Sequence, residues 1–283
     1  MTDMKTVPGG LESEGLVVRP SFRDRLLTGG TATRLFQLLF YAVLVGAWEF
    51  GVPALNIPSY LLPVPSQIIS SLIFGLTQGT YLDAAYVTLF ETFSGFAIAV
   101  VGGLLVGAAI VELRFVEIAI YPLVVGLQSL PKIALAPLIL IWAGFGIRSK
   151  IIVAALVAFF PVLVNTVAGL RAYDREAAEL MKSLGASRWQ MLHKLKAPSA
   201  VPYILAGLQV AFVFALLGAI VGEFVGASAG LGHNILQMQF QLDVAGVFAI
   251  LIIMAAIGIL GHALLKLIGE RLAFWETDIT ARS

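Results

Sequence analysis

Apolar residues in this chain gather in long runs instead of alternating with polar ones or forming a one-sided helical stripe. Stretches without an Asp, Glu, Lys or Arg extend from Leu35 to Trp48, Thr92 to Val111, Ile151 to Leu170, Ala197 to Gly222 and Val244 to Leu265. A further run from Ile118 to Ile147 is interrupted only by Lys132. A helix needs about 20 mostly apolar residues to cross the hydrocarbon layer. The pattern therefore predicts six membrane helices, near residues 35–54, 84–110, 117–143, 150–170, 200–224 and 246–268. A membrane barrel would instead need short alternating segments, and these runs are continuous. The expected fold class is all-α integral membrane, with both faces of most helices apolar.

Composition agrees and narrows the function. Of 283 residues, 59% are hydrophobic and only 12% charged, against about 45–50% and about 25% in a soluble domain. A net charge of +1 supplies no basic excess for nucleic acid, whose binding requires clustered Lys and Arg. With no cysteine, thiolate metal sites and cysteine nucleophiles are excluded. His193, His233 and His262 are scattered, so no metal site is expected.

Charge also sets the orientation. All of the 18 Lys and Arg except Lys132, Arg148 and Lys150 fall in the N-terminal tail, the second-to-third loop, the segment 171–199 or the C-terminal end. By the positive-inside rule these regions, and both termini, face the cytoplasm. Residues 1–34 form an expected cytoplasmic tail, 35–270 the membrane domain and 271–283 a second tail. The first tail is polar and lacks the compact apolar core of a cleavable signal. Pro58, Pro63 and Pro65 make an extended connector, and Ser66 to Gly79 could form a short helix at the outer interface. Trp48, Phe50 and Tyr60 near the outer edge, and Phe274 and Trp275 near the inner one, suit interfacial anchoring.

The segment 171–199 is far longer than a turn between spans requires, and its composition is helical. Asp174 suits an N-cap, with Glu176 and Glu179 early and Lys182 late along the dipole. Gly185 fits a left-handed stop. Ser187 and Gln190 have capping-box spacing, and Pro198 falls where the next span is expected to begin. Helix, tight turn, helix is the prediction. Leu180, Met181, Leu184, Trp189 and Leu192 would give it an apolar surface framed by basic side chains, which suits docking of another protein.

This segment resembles the coupling loop, or EAA motif, of permease subunits of bacterial ATP-binding-cassette importers. That motif runs Glu-Ala-Ala, three residues, Gly, nine residues, Ile-x-Leu-Pro; here Glu179-Leu180-Met181, Gly185 and Leu195-Lys196-Ala197-Pro198 keep its spacing. The literal Glu176-Ala177-Ala178 lies three residues too early for that register. Three further stretches are similar to the nitrate/sulfonate/taurine-type branch: Leu184 to Gln190, Pro131 to Leu138 and Val221 to Phe224. The resemblance covers about residues 35–275.

It implies a type I importer permease in the bacterial inner membrane, multi-pass, acting as a pair that is by default a homodimer. It implies docking of two cytoplasmic ATPase subunits through Glu176, Glu179, Leu180, Leu184, Gly185, Ala186, Ser187, Arg188 and Trp189. A solute-binding protein would deliver the solute from outside. The chain contains no Gly-x-x-x-x-Gly-Lys-Ser/Thr phosphate loop, so ATP and Mg belong on the partner subunits and this chain is expected to be non-catalytic and free of cofactors. Branch members handle nitrate, sulfonates, taurine, bicarbonate or pyrimidine precursors.

Charges inside a span cost about 2.5–3.5 kcal/mol each at a helix centre, so Glu49, Glu91, Lys132 and Glu223 need partners or water. Lys132 near the solute path would favour an anion, with Glu91 or Glu223 paired to it or shaping an outer gate; structural ion pairs or snorkelling are equally open. Pro131 and Pro137 should bend or interrupt the third span, which makes it the first candidate for lining a path, with packing as the alternative. Gly218, Gly222, Gly226 and Gly230 form a smooth stripe for close helix contact, within one subunit or between two. An ion-gradient-driven transporter would also explain intramembrane carboxylates but leaves 171–199 without a purpose.

Overall fold

The computed structural model describes residues 30–272, and all of its regular elements are helical. Tails 1–29 and 273–283, with Phe274 and Trp275, lie outside the described residues. The first helix, α1 (Gly30–Ala54), forms a unit by itself with its run of apolar residues. In the second unit, α2 (Pro65–Thr77) is the short helix expected after the proline connector. α3 (Thr80–Glu112) follows after Gly79, whose φ of +80° turns the chain.

The third predicted span is two pieces. α4 (Arg114–Gln128) ends before Pro131, a 3-10 turn covers Lys132–Leu135, and α5 (Ala136–Ala143) leaves at 94° to α4. Neither piece alone has the length to cross the hydrocarbon layer. Pro131 has no N–H to donate and restricts the residue before it, so the ladder stops there; Pro137 fits because it occupies the first turn of α5, where an N–H has no partner to lose.

α6 (Ile147–Arg171) is the centre of the second unit, with more than half of its most apolar window buried. α7 (Arg175–Ser183) and α8 (Arg188–Met191) make the predicted hairpin, and α9 (Ala197–Gly226), α10 (Leu231–Phe240) and α11 (Val244–Leu272) complete the chain. Pro198 does not separate α9 from the hairpin. A π segment at Leu192–Lys196 joins α8 to α9, and helix runs on from Arg188 to Gly226. The Ala197 N–H reaches back to the Leu192 carbonyl, which widens the turn just before the proline that cannot donate.

α3 and α9 both lie against α6 because small residues remove the space between backbones. A Cβ on Gly103 would strike the Val162 side chain, and one on Gly218 would strike the backbone of Ala154. Around these contacts Ala99, Ala158, Val162, Ala211 and Ala215 form a tight core of small side chains. Gly222 rests on Lys150, and Gly226 on Phe145 and Leu140. The stripe Gly218–Gly222–Gly226 is thus an internal contact. Gly230, past the end of α9, abuts Glu223. Large apolar side chains such as Phe115, Leu123, Ile259 and Leu260 point outward, as a hydrocarbon solvent permits.

Candidate functional site

The hairpin is built from local signals. Asp174 accepts the Glu176 N–H at 2.9 Å and starts α7. At its end the Ala186 N–H bonds the Met181 carbonyl and the Gly185 N–H that of Lys182, at 2.9 and 3.0 Å. That pair of bonds is a Schellman stop, and it requires the left-handed φ of +77° at Gly185. Ser187 and Gln190 then exchange both capping-box bonds, at 2.8 and 3.2 Å.

These constraints fix which side chains project. Ala178 and Met191 are buried against the body, while Leu180, Leu184 and Trp189 are 61%, 78% and 70% exposed. Met181 and Leu192 are only half-exposed, so the apolar face is narrower than the five residues expected. Glu176, Glu179, Ser187 and Arg188 are exposed around it, and the His193 ring lies against Trp189.

At the other end of the helices lies a buried polar cluster that brings together two of the predicted residues. Glu223 is fully buried; Thr88 donates to it at 2.7 Å, and the Gly232 and His233 backbone N–H groups donate as well. Thr88 also accepts the Leu231 N–H at 2.9 Å. One carboxyl and one hydroxyl thereby satisfy the first turn of α10, whose N–H groups have no helical partners. The carboxyl of Glu91, 2% exposed, lies against that of Glu223.

The positive charge near this pair is Lys150, not Lys132. Lys150, at the start of the span predicted near 150–170, is 4% exposed within α6. Its ammonium donates to the carbonyls of Phe145, Gly146 and Gly226 at 2.7, 3.2 and 3.0 Å, which uses all three protons and closes the last turn of α9. Beside the cluster, a cavity of about 520 Å³ has Asp83, Ser228, His233, Asn234 and Gln237 among its lining residues.

Lys132 is elsewhere, at the break between α4 and α5. It donates to the Gln128 carbonyl at 3.1 Å and stands 4.7 Å over the Phe160 ring. The expected pairing with Glu91 or Glu223 is replaced by these contacts, because the 94° bend carries the 3-10 turn onto the face of α6 that presents Phe160. Pro131, Lys132 and Pro137 thus form one group, and Glu91 and Glu223 another.

Residues 99–274 match the family described as binding-protein-dependent transport system inner membrane component. The chain belongs to that family. It is a non-catalytic permease subunit of an ABC importer, a multi-pass protein of the inner membrane. This permease is 39% identical over 238 residues to the formylaminopyrimidine transport permease protein ThiX of Halalkalibacterium halodurans, covering 84% of this chain and 94% of that one. It is 34% identical to the riboflavin transport system permease protein RibX of Chloroflexus aurantiacus, with 82% and 86% covered. The putative aliphatic sulfonates transport permease protein SsuC of Bacillus subtilis is 30% identical, with 85% and 87% covered.

In fold, the permease is similar to a chain of the inward-facing MetNI methionine ABC transporter, with a TM-score of 0.61 at 18% identity, covering 69% of this chain and 97% of that one. A chain of an amino acid ABC transporter matches with a TM-score of 0.57 at 19% identity, over 71% and 96%. The all-helical type I importer fold is therefore the architecture of this permease. The ion-gradient alternative finds no support among these likenesses.

Proposed function

We propose that this permease couples ATP hydrolysis on two partner subunits to inward movement of a small polar solute, with residues 171–199 as the docking element. The observation that carries the reading is the rigidly capped hairpin whose tip presents Leu180, Leu184 and Trp189 to the surrounding solution. Burial of three such side chains in a groove would supply several kcal/mol, at about 1.5–3 kcal/mol each. Glu176, Glu179, Ser187 and Arg188 form the polar rim, and Gly185 and Ala186 set the turn. In this reading the hairpin and both termini face the cytoplasm, residues 35–270 form the membrane domain, and a second copy of the chain completes the pathway. A separate solute-binding protein works at the face bearing Asp83 and His233.

The break between α4 and α5 lines the pathway, because non-helical backbone at membrane depth is tolerated where it meets protein or a water-filled cavity. For the solute we favour a pyrimidine-type heterocycle. The 39% identity to a formylaminopyrimidine permease supports it ahead of a sulfonate, and Lys132 is already engaged by Gln128 and Phe160. Purification of the tagged permease in mild detergent from its host tests the docking claim. ATPase subunits should accompany the parent and be lost from a Leu184→Asp/Trp189→Asp variant of equal folded yield; retention in that variant would refute it. Competition of uptake by formylaminopyrimidine, with no effect of an alkanesulfonate, is the expected result for the solute, and the reverse would replace it.

A further inference from the structure

Both ends of the hairpin are tied to one corner of the fold. Arg171, the last residue of α6, pairs with Glu117 at 2.8 Å; Lys196, just before α9, pairs with Glu112 at 2.6 Å. Glu112 ends α3 and Glu117 lies in the first turn of α4. Between those helices stands a single extended residue, Leu113, with φ −114° and ψ 103°. The corner is therefore a one-residue hinge held from two sides.

The two ties differ. Lys196 and Glu112 are 15% and 21% exposed, whereas Arg171 and Glu117 are 42% and 40% exposed. Salt and water screen the sheltered pair less, so it transmits force more stiffly. Tyr173 lies 5.6 Å from the Lys196 ammonium, and Tyr121 of α4 stands 5.6 Å from the Arg171 guanidinium. A cleft of about 300 Å³ beside the corner, lined by Glu117, Arg171, Tyr173 and Lys196 among others, leaves room for movement.

Beyond the corner α4 is a 15-residue helix with Pro122 inside it, about 22 Å long at 1.5 Å per residue. Its far end is the 129–131 break, where the chain turns by 94°. Resting on the reading of 171–199 as the ATPase-docking element, we propose that the Lys196–Glu112 pair joins hairpin movement to the α3 side of this corner, while Arg171–Glu117, the tie that touches α4 itself, passes it on to α4 and so to the break. All four are positioning residues.

The absence of cysteine makes the test direct. Gln128→Cys reports on the far end of α4 through its rate of labelling by a membrane-impermeant maleimide. The permease is reconstituted in liposomes with its ATPase subunits, with and without ATP plus vanadate. The parent rate should change about threefold or more, as expected of a two-state element whose equilibrium the nucleotide state biases. Lys196→Glu and Glu112→Lys should each abolish that change while ATPase subunits stay bound; the double swap should recover at least half, and Lys196→Arg should keep it. Normal response in the single variants, or no recovery in an assembled double swap, would overturn the proposal. Loss of ATPase subunits from the single variants would overturn it too, since the pair would then serve docking. Failure of the parent to bind ATPase subunits would instead refute the docking reading itself.

Discussion

The hairpin at 171–199 and the polar cluster around Glu223 are both ordered by hydrogen bonds, yet they obey opposite rules. Within the hairpin the caps and the stop join residues two to five positions apart, as with Asp174 to Glu176 and Ser187 to Gln190, and the long-range pairs lie at its base, at Arg171 and Lys196. In the cluster, Thr88 bonds Glu223 and Leu231, which are 135 and 143 positions away. The turn of the hairpin is thus shaped by its own residues, while Ala178 and Met191 seat it on the body. The cluster exists only when α3, α6, α9 and the start of α10 are already packed. One is suited to receiving force and the other to resisting it.

The contrast predicts where substitutions will be felt. Glu223→Leu should have the largest effect, because it strands the Gly232 and His233 N–H groups in a buried site at a cost of about 3–5 kcal/mol in total. Thermal melting in detergent should fall sharply, and an unchanged melting temperature would show the cluster to be incidental. Gly218→Val should follow, at about 2–3 kcal/mol, since overpacking against the Ala154 backbone must part α9 from α6. Fluorescence-detected size exclusion after a heat challenge would measure it.

Hairpin substitutions should leave those readouts nearly untouched. Gly185→Val places a branched residue at φ +77° and should cost about 1–2 kcal/mol locally, seen as weaker ATPase-subunit retention with folded yield preserved. Asp174→Ala, which removes one N-cap bond, should cost about 1 kcal/mol of local helix stability. Faster amide exchange confined to residues 175–178 is the expected signature. A global loss of stability from either hairpin variant would erase the distinction between the two regions.

The same contrast explains what could be read from the chain beforehand. Apolar runs locate the spans, and Asp174, Gly185, Ser187 and Gln190 each act on neighbours within a turn, so the hairpin's caps and stop were legible residue by residue. The role of Lys150 was not legible because its three carbonyl partners come from the 145–146 turn and from Gly226, a contact no local pattern encodes. A lysine at the very start of an apolar run, next to Ile151, was the available signal. The severity of the bend at 129–131 was hidden for a related reason. Proline spacing marks where a helix must break, but the direction of exit depends on the face of α6 whose Phe160 receives Lys132. Gly95, Gly103 and Gly107 of α3 carried a readable small-residue pattern, and it meets α6 as closely as the glycines of α9 do.

The most direct test of the account is chemical cross-linking from the hairpin tip. Leu184→Cys, in a chain otherwise free of cysteine, carries a short photoactivatable reagent in membranes of the native host, with Ile259→Cys on an outward face of α11 as control. A single adduct should form from position 184, contain an ATPase subunit, respond in yield to ATP plus vanadate, and be absent from position 259. Equal lipid-type labelling at both positions, with no ATPase adduct from 184, would contradict the role of the hairpin as the site where hydrolysis is coupled to transport.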